Sequence, residues 1–231
     1  MRIENVVVSG WKNAVIGMRY PKNSEHLYDS KGTGLKFKLG KKDASLLFRL
    51  TKAGRDHRKV LRMIHVQASV DMPISWWIQY DTYKVATVAN SRSRMHKMGV
   101  RELVKEDFHV DNWDESFDYV LDVLNKNIRI YQDNLKKDPK KAKEAWKKVI
   151  DLLPMAYQQE RMIDLNYETL IAICEARYTE KLSGEWLFFI DNFLKTCPYL
   201  EYLWEVSTKK IGFIDVKNII NTNISELRFK K

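Results

Sequence analysis

The sequence predicts an α+β fold, a small and mostly antiparallel sheet surrounded by helices. Two segments alternate with the two-residue period of strands, and several longer ones repeat apolar residues every three or four positions. No internal repeat and no Pro/Ser-rich linker divides the 231 residues, so a single domain over 1–231 is expected. With 45% hydrophobic and 12% aromatic residues against 9 Gly and 5 Pro, the chain is neither disordered nor collagenous.

Residues 2–10 alternate loosely and make the first expected strand; Trp11, Val15 and Met18 follow at helical spacing. Pro21, Gly32, Gly34 and Gly40 punctuate a lysine-rich stretch, which predicts a basic surface loop over 21–42. A helix is expected from Asp43, with Leu46, Leu47, Leu50 and Thr51 on one side and Gly54 as its stop. Leu61–Asp71 alternates and predicts a second strand, with His65 on its polar side. Pro73 opens a helix in which Trp76, Tyr80 and Tyr83 share a face, a pattern of core or subunit contact. The turn-forming stretch 82–113 is expected to be a variable functional loop. Asp114 caps a long amphipathic helix, and Asp138-Pro139 opens the next. Asn166 caps a helix carrying Leu170, Ile173, Cys174 and Arg177, and Ser183 opens an apolar helix that Pro198 ends.

Forty basic residues against thirty acidic ones leave a net charge of +10, which favours an anionic partner such as a nucleotide, a nucleic acid or an acidic protein. Seven lysines fall between Lys136 and Lys148, a run that suits either a phosphate backbone or a solvated helix face. The longest unbroken apolar run, Trp186–Ile190, is far shorter than the roughly 20 residues a membrane helix needs, so no membrane partner is expected. The charged and amide residues at the N-terminus do not suit a signal peptide, so a cytoplasmic location is expected. Cys174 and Cys197 read as buried free thiols, and the five scattered histidines offer no metal-ligand spacing. Walker, nucleophile-elbow and strand-linked GxGxxG motifs are absent.

Three clusters could grip a planar anion. Asn90, Arg92, Ser93, Arg94, His96 and Lys97 combine guanidinium forks with hydroxyls. Gln158, Gln159, Glu160 and Arg161 run into Asp164 and Asn166, and Glu175 and Arg177 sit beyond Leu170 and Ile173. Residues 153–177, LPMAYQQERMIDLNYETLIAICEAR, resemble the segment of flavin-dependent thymidylate synthases in which Leu-Pro leads to a strand, a helix-start Asn, a Leu and an Arg. Leu153, Pro154, Asn166, Leu170 and Arg177 stand at those places. Upstream, Gly54, His65, Val66, Ala68, Trp76 and Trp77 are similar to the family's helix, turn, His-Val-x-Ala strand and Trp-aromatic pair.

The resemblance implies a thymidylate-synthase-complementing-protein-like fold, a homo-oligomer, tetrameric in arrangement, and a pocket at a subunit interface. It implies nucleotide contact by Arg177, with Ser93 and Arg94, beside Arg92, as the nearest equivalents of further substrate contacts and Arg161 as the neighbour of Glu160, on which a dUMP-binding Arg of the family falls. It also implies FAD as cofactor with Gln79 and Asn166 beside it, and methyl transfer to a pyrimidine nucleotide such as dUMP. A deep basic pocket between Arg92/Arg94 and Arg177 is then expected. The chain departs from the family at its Arg-His-Arg triplet, where it reads Ile78-Gln79-Tyr80. Losing two cations removes charge-assisted hydrogen bonds worth about 1.5–3 kcal/mol each, which counts against flavin binding and methyl transfer. The alternative is a non-catalytic interaction module that presents its basic surface to nucleic acid or an acidic protein.

Overall fold

The computed structural model describes residues 1–93, 99–178 and 184–208. Four antiparallel strands, β1 (Arg2–Ser9), β2 (His65–Pro73), β3 (Thr87–Ser91) and β4 (Gln158–Asn166), form one sheet in the order β1-β2-β4-β3. The described helices are α1 (Trp11–Gly17), α2 (Lys41–Lys52), α3 (Ile74–Tyr80), α4 (Glu115–Asn134), α5 (Pro139–Leu152), α6 (Tyr167–Arg177), α7 (Gly184–Thr196) and α8 (Leu200–Ser207). This is the α+β architecture expected. None of the described helices is long and apolar enough to cross a membrane.

Local details differ from the expectations. Lys59–Met63 is a 3-10 turn, so the second strand starts at His65. α3 ends at Tyr80, which leaves Tyr83 outside the face shared by Trp76 and Tyr80. The stretch 82–113 contains β3, an edge strand rather than only loop. Short 3-10 turns and a bridge between Lys31 and Lys38 organise the basic loop. α2 starts at Lys41, two residues before Asp43. Ser183 lies outside the described residues.

Contacts divide the chain into two compact units. The first holds 1–2, 70–82 and 90–161. Within it α4 and α5 pack together over a core of Leu103, Phe108, Leu124, Ile128 and Val149. The Asp114 carboxylate accepts from the Ser116 and Phe117 amides, and Asp138 accepts from Lys141, so both helices begin at the expected caps. Buried Asn125 secures the preceding loop, accepting from Leu103 N at 2.7 Å and donating to Leu103 O at 2.9 Å. In α3, Trp76 stacks on Tyr80 with centroids 5.2 Å apart, and Trp77 meets both rings edge-on. Trp77 Nε1 donates to the Gln159 carbonyl at 2.7 Å, satisfying a polar atom that burial would otherwise penalise.

The second unit holds 3–69, 83–89 and 162 onward. Trp11 stacks on Phe37 at 4.9 Å and meets Tyr167 and Tyr199 edge-on. Gly10 makes the turn into α1 at φ 87°, where a Cβ would sit 2.0 Å from the Met63 carbonyl oxygen. Asn5 interrupts β1 with φ 54°. On α2, fully buried Asp43 pairs with Arg19 at 2.5 Å and accepts from Asp29 N, Ser30 N and Ser30 Oγ at 2.6–3.0 Å. Gly40 lets the Asp29 carboxylate approach; that carboxylate accepts from Lys42 N at 2.9 Å and Asp43 N at 3.0 Å and caps the helix. Cys174 and Cys197 are free and buried, and burial pushes both thiols up to about 12.

Two outcomes follow. Asp43→Ala strands Arg19 and two loop amides, and urea denaturation should show a loss of about 3–5 kcal/mol. Because a thiol raised that far carries almost no thiolate at pH 8, Ellman's reagent should titrate neither cysteine in the native protein and both in guanidinium chloride.

Candidate functional site

The two-residue period of β4 deals its polar residues to opposite faces. On one face of the first unit, Arg92 Nε lies 2.5 Å from Glu160 Oε2, and its backbone N–H donates to Glu160 O at 3.0 Å. Arg2 completes the cluster, 4.0 Å from Glu160 and 3.8 Å from Asp71. Burial pushes the Asp71 carboxyl above its ordinary range, with Arg2 opposing the shift. Ser93 is exposed beside this cluster in sequence. Arg94, His96 and Lys97 lie outside the described residues.

On the other face, the Arg161 guanidinium lies 4.3 Å from the Trp77 ring centroid. It donates to both Asp81 oxygens, at 2.9 and 3.1 Å, and to Gln159 Oε1 at 3.2–3.3 Å. Arg92, just after β3, and Arg161, on β4, thus meet the same strand segment in space but serve different faces. Each already meets a carboxylate, so an incoming phosphate must compete with Glu160 or Asp81.

In the second unit, Arg177 Nε donates to Tyr83 Oη at 3.0 Å, and its guanidinium lies 5.0 Å from the Trp186 ring centroid. The Tyr83 hydroxyl and the Trp186 ring hold this guanidinium in place, and a guanidinium fork matches planar or tetrahedral oxyanions by shape. Asn166 is 4% exposed and caps α6, its Oδ1 accepting from Thr169 N at 2.9 Å and Thr169 Oγ1 at 3.1 Å. Glu175 meets Arg58 and Ser207. Between β2 and β4, Asp164 accepts from Gln67 Nε2 at 2.8 Å and lies 3.0 Å from His65 Nδ1. The described residues contain no cluster of three metal-ligating side chains.

Ile78-Gln79-Tyr80 lies at the end of α3. Ile78 is 55% exposed, whereas Tyr80 is 2% exposed and stacked in the Trp76–Trp77 cluster. The Gln79 carbonyl accepts from the Thr82 hydroxyl at 2.7 Å, and its side chain is half-buried. An apolar surface residue and a core phenol stand where the resemblance expects two cations, and neither offers a charge-assisted hydrogen bond to an anionic cofactor. The residues at this place do not fit that group.

No family model and no curated protein matches the chain. Its fold is similar to that of solved structures. One is flavin-dependent thymidylate synthase ThyX from Helicobacter pylori complexed with FAD and dUMP, at TM-score 0.65 and 14% identity over 87% of this chain and 98% of that one. A second ThyX structure from Helicobacter pylori, also with FAD and dUMP, matches at TM-score 0.63 and 15% identity over 88% and 98%. At these identities the likeness establishes a shared fold.

Asp81 carried no expectation as a partner of the arginines; Tyr83 was expected on an aromatic face with Trp76 and Tyr80, and Trp186 within an apolar run. The spacing of Trp77 and Asp81, four residues apart on a helix and its cap, was a usable signal for one guanidinium partner. Tyr83 stands 94 positions from Arg177 and gave none. Replacing Trp77 by Leu, which removes the ring under Arg161 and the Gln159 hydrogen bond and leaves a cavity in the core, should destabilise the protein by about 2–4 kcal/mol in chemical denaturation.

Proposed function

We propose that this chain binds a pyrimidine nucleotide through its phosphate, with Arg177 as the principal cation and without flavin-dependent methyl transfer. One observation carries the reading: Arg177, at the place the resemblance gives to nucleotide contact, is oriented by Tyr83 and stacked near Trp186. The shared fold supports it, because the neighbouring structures hold dUMP. Arg92, Ser93, Arg94 and Arg161 are the proposed further contacts, and a homo-oligomer is the proposed assembly. Contacts to one nucleotide are then not required to come from one copy of the chain.

FAD is a ligand of the neighbouring structures. Here the Ile78 and Tyr80 positions argue against it, and Asn166 serves its helix as a cap. The chain's own residues therefore bind and orient a nucleotide; no chemical step is assigned to a flavin. A second reading, nucleic-acid binding, is favoured by the exposure of all seven lysines between Lys136 and Lys148.

Titration with dUMP should raise the melting temperature saturably, since a ligand at 100 times its Kd stabilises the native state by about 2.7 kcal/mol. Arg177→Ala should abolish the shift while circular dichroism stays unchanged. FAD should produce no shift. A wild-type protein indifferent to dUMP overturns the reading.

A further inference from the structure

Helix α2 carries more apolar surface than its core contact requires. Ala44, Leu47, Phe48 and Thr51 are buried, and α2 packs against α8. Leu46 and Leu50, one turn apart, form a second stripe that is only half-buried. They line a cavity of about 850 Å³ whose remaining apolar wall comes from Met18, Pro21 and Leu27. All of it belongs to the second unit.

The rim of this groove has one sign. Lys22, Lys41, Lys42 and Arg49 line it, all exposed, and no carboxylate does. Of the nearby acids, Asp43 is engaged by Arg19 and Asp29 by the first amides of α2, while Glu25 lies in the turn between Ser24 and Leu27 without lining the cavity. Lys41 and Lys42 occupy the first helical turn, so two of these cations are fixed by the helix to the same end of the groove.

We infer that this groove docks an acidic amphipathic helix of a partner protein, leucine-like anchors lying against Leu46 and Leu50 and carboxylates meeting Lys22, Lys41, Lys42 and Arg49. Charge selects this occupant over two others. Residues 209–231 of the chain itself contain six basic and two acidic residues, and a second copy carries the same +10. Both would bring like charge to a basic rim. The twelve residues of α2 offer a wall of roughly 18 Å, the length of three helical turns.

The test is fluorescence anisotropy of the full chain with a labelled synthetic helix of about 14 residues, glutamates with leucines at i, i+3, i+4 and i+7. The peptide should bind, and Lys41→Glu/Lys42→Glu and Leu46→Ser should each weaken it roughly tenfold or more. Lys140→Glu/Lys141→Glu, which alters the other basic run, should leave it unchanged. Absence of binding overturns the assignment, as does equal binding of a peptide whose leucines are replaced by serine. So does displacement by a single-stranded oligonucleotide of equal charge. A fall in solution mass of the Lys41→Glu/Lys42→Glu protein in light scattering would mean that a second copy covers the groove, and would also overturn it.

Discussion

The fold and its arginines depend on β4 being paired along both edges. Flanked by β2 and β3, this strand can neither twist free nor shift register without breaking two ladders, and a shift of one residue would exchange its two faces. That constraint sends Glu160 towards Arg92 and Arg161 towards Trp77 and Asp81. It also delivers the chain into α6 at Asn166, whose cap fixes where the helix begins and hence where its last-turn Arg177 falls. Placement of these groups is a property of backbone pairing before it is one of side-chain chemistry.

The second organising interaction is the buried carboxylate of Asp43. An unpaired charge there would be severely penalised, so Arg19 and the amides of the 29–30 segment are drawn to it. The glycine-punctuated stretch 21–42 is thereby held as a set of short turns although it has little regular structure. Pro21 and Leu27, part of the apolar wall of the basic groove, come from this same stretch, so that side of the groove is held through the ion pair.

The looser alternation of the first strand was legible in the sequence, and so were the helices α2, α4, α5 and the Asn166-capped α6. Each has caps or an apolar stripe that arises from neighbours within a few positions. β3 was not legible. TVANS is exposed at four of its five residues, so it shows no alternation between a core and a solvent face. Asp43 looked like an ordinary acid of a helical first turn, and only its encounter with Arg19, 24 positions away, makes it an interior anchor. The arginines themselves were visible, but most of their partners are distant along the chain: Asp81 stands 80 positions from Arg161 and Tyr83 stands 94 from Arg177. The Ile78-Gln79-Tyr80 replacement could be read as a loss of cations, and the Trp76/Tyr80 spacing as a core or subunit contact; which rings Tyr80 meets, and at what angle, could not.

The positive φ of Asn5 bears on how the sheet ends. β1 is one of its two margins, and a flat margin offers free amides and carbonyls on which an identical strand can grow. A left-handed residue five positions in breaks that template, and Arg2 and Glu4 flank the break with charge. Uncontrolled fibrillar stacking through this side is thus opposed by backbone geometry, independent of any ligand the protein holds.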